Sequence, residues 1–350
     1  MQRCYALFTR LGTAALITSV LLGAGPVAQP RPAYAASMLV TTPLDETVTN
    51  GQCSLREAIT NANDNVATFA DCPAGSTFAP DTISFANDGY YMTFSSAFPT
   101  IVSNGPGGVI ISGVGRAVVL SGGAKLRPFV IAAGASLEMR NVTVTQGVTL
   151  TGQGGAFLND GALTIVDSTV SHSSASGGGG AVAGSGSLII RGSSFRANSS
   201  GGNGGAINGS ATISNSSFTD NRAQRGGAIA AQGGAIYNST ITDNVAVNLG
   251  GGLAVPNSIF PGGMLFNTVI AGNTASTGPD CFGSFTAGPA NLVQDQTECT
   301  FTGSASLATG GRSSAGAARE QRRTHQDPRA AARQPGHRRR RRGHLLGGAG

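Results

Sequence analysis

Gly204-Gly-Ala-Ile207, Ser217-Phe-Thr-Asp-Asn221, Gly226-Gly-Ala-Ile229 and Thr240-Ile-Thr-Asp-Asn244 are two phrases, each spoken twice, within one short stretch of the chain. Outward from this stretch both phrases continue. Gly-Gly-Ala with an apolar residue behind it starts at Gly154, Gly179, Gly204 and Gly226, at intervals of 25, 25 and 22 residues, and Gly250-Gly-Gly-Leu253 is a variant. The apolar residue of the second phrase stands at Val144, Val170, Phe195, Phe218, Ile241 and Ile270, spaced 26, 25, 23, 23 and 29 residues apart. A beat of this length is that of a stacked solenoid, in which each unit buries its apolar face only against its neighbours.

Inside a repeat the apolar residues come in short β-branched runs cut by Gly and Asn, such as Ser187-Leu-Ile-Ile190 and Ala211-Thr-Ile213. Such runs are strands, and no stretch of the array carries a helical period. A coil of about 22–25 residues holding some three short strands is one turn of a parallel β-helix. Equivalent positions then stack about 4.8 Å apart. Val170, Phe195, Phe218, Ile241 and Ile270 are expected to form one inward column. Asn198, Asn221, Asn244 and Asn273 are expected to form a polar ladder at a bend, each amide bonding to the next coil. Asn also tolerates the left-handed backbone of a sharp corner, and the Gly pairs turn other corners without a Cβ clash. With 53 Gly, no Trp and 11% charged residues, the chain has too little charge and too much periodicity for disorder.

Residues 1–35 carry the marks of a secretory signal: Arg3 and Arg10, the apolar stretch Leu11 to Leu22, and Ala33-Tyr-Ala35 as a small-residue cleavage site. The apolar run is too short to favour a membrane span, so no transmembrane helix is expected in the mature chain. Without Cys4, four cysteines remain, and export puts them in an oxidising setting. Three pairings are possible. The separation of the two ends of a β-helix favours Cys53–Cys72 and Cys281–Cys299; the alternative, a zinc site, has neither a nearby His nor a Cys-x-x-Cys. Ser54-Leu-Arg-Glu57 has the Ser-x-x-Glu form of a capping box, and Leu55, Ala58, Ile59 and Ala62 follow at helical spacing. A helix over 54–63 is expected as a lid on the first coil, with Arg56 and Glu57 serving as a surface pair and a cap. The organisation is thus signal 1–35, N-terminal cap 36–80, β-helix 81–310 with less regular first coils, and tail 311–350.

Cys53-Ser-Leu-Arg-Glu-Ala-Ile59 resembles the signature of the bacterial CSLREA domain family, and Phe129 to Leu137 with Asn141-Val-Thr-Val-Thr145 looks like that family's early coils. The Gly-Gly-Ala-Ile and Phe-x-x-Asn phrases are similar to the repeats of polymorphic outer-membrane proteins, and Cys281 to Gly303 to the segment that closes the family's array. The resemblance covers about residues 38–305. It implies a secreted or surface-attached right-handed parallel β-helix of the pectate-lyase-like kind, and no agreed catalytic set.

Residues 311–350 hold 11 Arg against Glu320 and Asp327, whereas 36–310 hold 9 basic and 15 acidic residues, a net of −6. An Arg block such as 338–342 ordinarily suggests nucleic acid or a membrane surface. Back-translating Arg312 to Arg340 and reading one base later, however, permits DPLLGPLANNGGPTKTHALLPGSPAIDA, which resembles the C-terminal segment of CSLREA-type proteins. The tail is therefore expected to be a disordered frameshift product with no evolved nucleic-acid partner.

Chemistry is sparse. His172 is the one His of the body, and the array's acids are few: Asp160, Asp167, Asp220 and Asp243. Polysaccharide lyases and hydrolases need clustered carboxylates or a cation on one face. The motifs of polygalacturonases, P-loops, zincins and Gly-x-Ser-x-Gly hydrolases are absent. Asp220 and Asp243 occupy equivalent positions in adjacent coils and are a weak calcium candidate; solvation, or Arg222 and Arg225, is the plainer way to balance them. No catalytic residue and no cofactor is assigned. The expectation is a non-catalytic secreted or cell-surface scaffold whose faces contact an extracellular glycan or cell-envelope component. The alternative is a carbohydrate-active enzyme of the pectate-lyase-like superfamily.

Overall fold

The computed structural model describes residues 35–103, 105, 107–255, 262–303 and 307–309. The expected signal and tail lie outside them. All strand pairings are parallel and fall into three sheets. The first has 15 strands from Ser37–Val40 onward, the second runs through 10 strands from Tyr90–Thr93 to Leu307–Thr309, and the third has 5, from Val148–Thr149 to Val245–Leu249. Within each sheet a strand pairs with its counterpart one coil away, so the fold is a parallel β-helix. Among the described residues no helix is long and apolar enough to cross a membrane.

The inward column stands where the repeat put it. Val170, Phe195, Phe218, Ile241 and Ile270 are Cα partners in succession and at most 1% exposed. The Phe195 and Phe218 rings stack at 5.0 Å, and Phe98, Phe129 and Phe157 form a second stack in earlier coils. Each such pair contributes about 0.5–1.5 kcal/mol beyond its buried area. One continuous core runs from Met38 to Val293.

Each coil turns on left-handed residues. One corner uses the first glycine of Gly-Gly-Ala: Gly204 has φ +68, and a Cβ there would lie 1.9 Å from the Ile207 carbonyl oxygen. The second glycine serves stacking rather than turning, since a Cβ on Gly205 would meet the next coil's Gly227 carbonyl at 2.0 Å. Asn141, Asp167, Asn215, Asn238 and Asn267 turn the corner before the second sheet. Gln146, His172, Ala197, Asp220 and Asp243 turn the one after it. This corrects one expectation. The ladder asparagines are not the left-handed residues; the residue just before each of them is, which frees the amide to point inward.

The ladder itself is as expected. The Asn221 side-chain oxygen accepts from the backbone and side-chain amides of Asn198 (3.0 Å each), and Asn221 in turn donates to Asn244 Oδ1 at 2.9 Å and to the Phe195 carbonyl at 3.0 Å. Asn244 repeats this with Asn273. The series ends on Asp280, 1% exposed, whose Oδ1 accepts both amides of Asn273 and whose Oδ2 accepts from Asp295 N. An ionised carboxylate has acceptors only, which suits a place where every neighbour is a donor. A second ladder was not anticipated. Ser168, Ser193, Ser216 and Ser239 accept, through Oγ, the backbone amides of Val142, Ser168, Ser193 and Ser216 in the preceding coil. Each hydroxyl donates back to the carbonyl two residues earlier.

The helix Leu55–Asp64 begins at Ser54 with a complete capping box and packs on strands Ser37–Val40 and Asp81–Phe85. Leu55, Ala58, Ile59 and Ala62 enter the core, so the helix closes the first coil. The segment 36–80 also supplies the first rung of the solenoid, because Ser37–Val40 pairs with Thr82–Phe85. Both proposed disulfides are present, Cys53–Cys72 and Cys281–Cys299, with Cα atoms 5.0 and 5.6 Å apart.

Candidate functional site

The buried Asn and Ser side chains of the two ladders are consumed by bonds between coils. The polar groups with room to do something else gather in the early, irregular coils. There the chain departs from tight corners and projects two short loops, Asn87-Asp-Gly89 and Gly113 to Ala117. They wall a groove of about 480 Å³ at the edge of the second sheet. Its floor is the outward column Val119, Thr143 and Thr169, brought into line by parallel register. Asn141 and Asp167, left-handed corner residues of the next two coils, continue the same edge and complete the lining.

The loops are held by backbone bonds. Arg116 N donates to Gly113 O at 2.9 Å, and Asp88 Oδ1 accepts from the amides of Ala117 and Gly89. Those amides hold the Asp88 carboxyl below its ordinary range. Arg116, beside it, favours the charged form too. The rim therefore carries Asp88, Asp167 and Arg116, a net charge of one minus. Tyr91, just outside the groove's lining, pairs with Val119 one coil on and is 58% exposed, so it extends the outward column beyond the floor. Val114, at the tip of one wall, is 63% exposed.

Of the acids noted in the sequence, Asp167 lines the groove, and the calcium candidates Asp220 and Asp243 sit elsewhere. Asp220 and Asp243 are exposed and follow the paired residues Thr219 and Thr242, so their stacking in adjacent coils is as expected, with His172 two coils before Asp220. Among the described residues no group of three or more His, Cys, Asp or Glu side chains is placed to hold a metal. Asp220 and Asp243 thus bring two carboxylates together and no third.

Arg56 and Glu57 are structural. The Arg56 guanidinium bonds both Asp45 oxygens at 2.7 and 3.0 Å and the carbonyls of Ala97 and Ser96 at 2.8 Å each, and lies 5.3 Å over the Phe98 ring. The pair is not a surface pair as expected: the two side chains are 12% and 6% exposed. It ties the N-terminal segment and the loop at 95–98 to the cap helix, and that packing is what buries it. Burial pushes the Asp45 carboxyl up, but bonds from Arg56 and Ser95 outweigh it and hold the group below its usual range. Glu57 Oε2 accepts from Ser54 N at 2.9 Å. Two other carboxyls move the opposite way. Burial raises Asp81, which accepts from Ser76 N at 2.8 Å, to about 6. Burial likewise raises Asp280.

The groove was not legible in the sequence because the two loops that form it do not repeat, although its floor does. Its signals are two turn-forming stretches, Asn87-Asp-Gly and Gly113-Val-Gly115, inside a region otherwise legible as strands. No family model matches the chain, and neither a curated protein nor a solved structure matches it.

Proposed function

We propose that the chain is an exported, non-catalytic β-helical scaffold of the cell surface that contacts glycans through its outer faces. The observation that carries this reading is where the polar groups go. Buried Asn and Ser side chains bond coil to coil, which builds a stiff rod, while the outward positions of the second sheet (Thr143, Thr169, Ser194 and Ser217) present a row of hydroxyls. A stiff rod with a hydroxyl face suits display and contact rather than turnover. Two disulfides support an oxidising compartment. The Cys53–Ile59 string, taken as a CSLREA-type cap, supports export in the same way, and calcium bound at Asp220 and Asp243 has no part in this reading.

The test is binding and turnover on one preparation. The full-length chain, incubated with insoluble cell-envelope polysaccharide, should co-sediment and leave the polysaccharide intact. Release of unsaturated products from acidic polysaccharides in a calcium-dependent lyase assay, read by ultraviolet absorbance, would instead establish the carbohydrate-active enzyme that fold analogy alone suggests.

A further inference from the structure

We propose that the groove between the 87–89 and 113–117 loops is a binding subsite for one or two neutral sugar units. This inference rests on the glycan-contact reading and deepens it, by naming the place and the class of sugar. The site is an open surface groove of about 480 Å³, room for one or two sugar rings rather than an enclosed pocket.

Three features point to a sugar. The first is spare hydrogen-bonding capacity of the right kind. Asp88 Oδ1 is committed to the amides of Gly89 and Ala117, which fixes the carboxylate of an exposed residue whose Oδ2 keeps its acceptor capacity. The same two bonds keep it ionised, so it accepts from hydroxyls and does not donate. Asp167 supplies a second carboxylate, and the Thr143 and Thr169 hydroxyls on the floor donate as well as accept. Vicinal sugar hydroxyls are both donors and acceptors, and this set matches them. The contrast with the ladders is direct: there the amides and hydroxyls are already bonded to neighbouring coils or to their own backbone.

The second feature is an exposed ring on the same face. Tyr91, Val119, Thr143 and Thr169 are consecutive along one outward column, about 4.8 Å apart per coil. The tyrosine ring carries a negative face, which attracts the polarised C–H groups of a pyranose face. A sugar over Tyr91 and its neighbour over Val119 would lie along the axis of the helix, with Thr143 within reach of the second ring.

The third feature is charge. Two carboxylates and one guanidinium leave the rim negative, on a body whose net charge over residues 36–310 is −6. A uronate would meet repulsion there that a neutral hexose does not.

The test uses the full-length chain and defined disaccharides. Cellobiose, maltose and lactose, with digalacturonate as the acidic counterpart, are titrated by calorimetry and by saturation-transfer NMR. The proposal expects at least one neutral disaccharide to bind and digalacturonate to bind more weakly. Tyr91→Ala and Asp167→Asn should each weaken that binding about tenfold, the size of one good charged hydrogen bond or ring contact. Arg116→Ala should weaken it less. All three side chains are on the surface, and an unchanged melting temperature in each variant keeps a binding loss interpretable. A preference for digalacturonate would overturn the proposal, as would neutral binding that survives Tyr91→Ala and Asp167→Asn together. If the chain sediments with polysaccharide while the groove variants do so undiminished, glycan contact stands and this site does not. If no sugar is bound in any form, both fall.

Discussion

The early coils and the later ones solve the same packing problem with different means. From about Gly147 to Asn273 coil stacks on coil, with a Ser ladder from Ser168 to Ser239 and an Asn ladder from Asn198 to Asn273. Before Gly147 the ladder asparagines are missing, loops project, and a helix, an ion pair and a disulfide do the holding. Repetition commits the buried ladder side chains to bonds between coils, whereas the irregular coils lack those ladders and are secured by other contacts. A binding groove is thus expected where the repeat is least perfect.

The sharpest way to break this comparison is to strike the regular half. Phe218→Asp puts an unpaired charge in a column with no polar neighbour, and should cost more than about 4 kcal/mol, enough to abolish a cooperative thermal transition. Thr219 and Thr242 flank the column but are only 8% and 2% exposed, so exposed Thr212 is the proper control. Thr212→Asp should melt close to wild type. If both variants melt alike, the register is wrong.

A smaller effect is expected from Asn221→Ala, which strips a partner from both amides of Asn198 and from the Asn244 and Phe195 oxygens at once. The buried groups left unpaired should cost about 3 kcal/mol in denaturant unfolding. Hydrogen exchange should show the opening centred on residues near 198 and 244. Protection loss confined to Asn221 itself would mean that the ladder is decorative.

Arg56→Lys tests the irregular half. Lysine keeps the charge but loses the fork that grips Asp45 and two carbonyls. Destabilisation of about 2 kcal/mol is expected, with exchange rising in 37–64 and 95–98 while the later coils stay protected. Global loss of protection would show that the cap nucleates the whole rod.

The gentlest probe is pH. Burial raises Asp81 to about 6, against about 3.9 in an unfolded chain. Folding therefore disfavours its ionised form. That cost is absent below pH about 4, accrues as pH rises through the interval, and is complete above about 6. Melting temperature should rise slightly from pH 7 to pH 5, and Asp81→Asn should flatten part of the rise, leaving the share of Asp280, which burial shifts in the same direction. A wild-type melting temperature that falls over that interval contradicts the assignment.

The array was legible because periodic residues announce both their own position and their neighbours'. Phe218 implies Ile241, and Asn221 implies Asn244. The cap was legible through one local rule, Ser-x-x-Glu before an apolar run. The Ser ladder was missed although Ser168, Ser193, Ser216 and Ser239 repeat as strictly as the asparagines do; serine is common, and its role appears only when Oγ is seen against the next coil's amide. Left-handed corners were placed one residue late for a related reason. Ala197 occupies the turning position beside Asn198 without any compositional hint. The groove depends on two loops that have no counterpart elsewhere in the chain, and single events carry no period.

Asp280 bears on how such a rod acquires its length. Each side-chain amide of the Asn series gives one hydrogen back to a main-chain carbonyl of the preceding coil and one forward to the next side-chain oxygen, so the side-chain series is directional, like a sentence that needs a full stop. A gene that gained or lost a coil by unequal recombination inside the array would hand each asparagine an identical neighbour and disturb neither end. A coil added beyond Asp280 would face a carboxylate with no donor to offer. Growth by duplication is thereby confined to the interior, and the first coils, with their groove, pass unchanged into longer or shorter descendants.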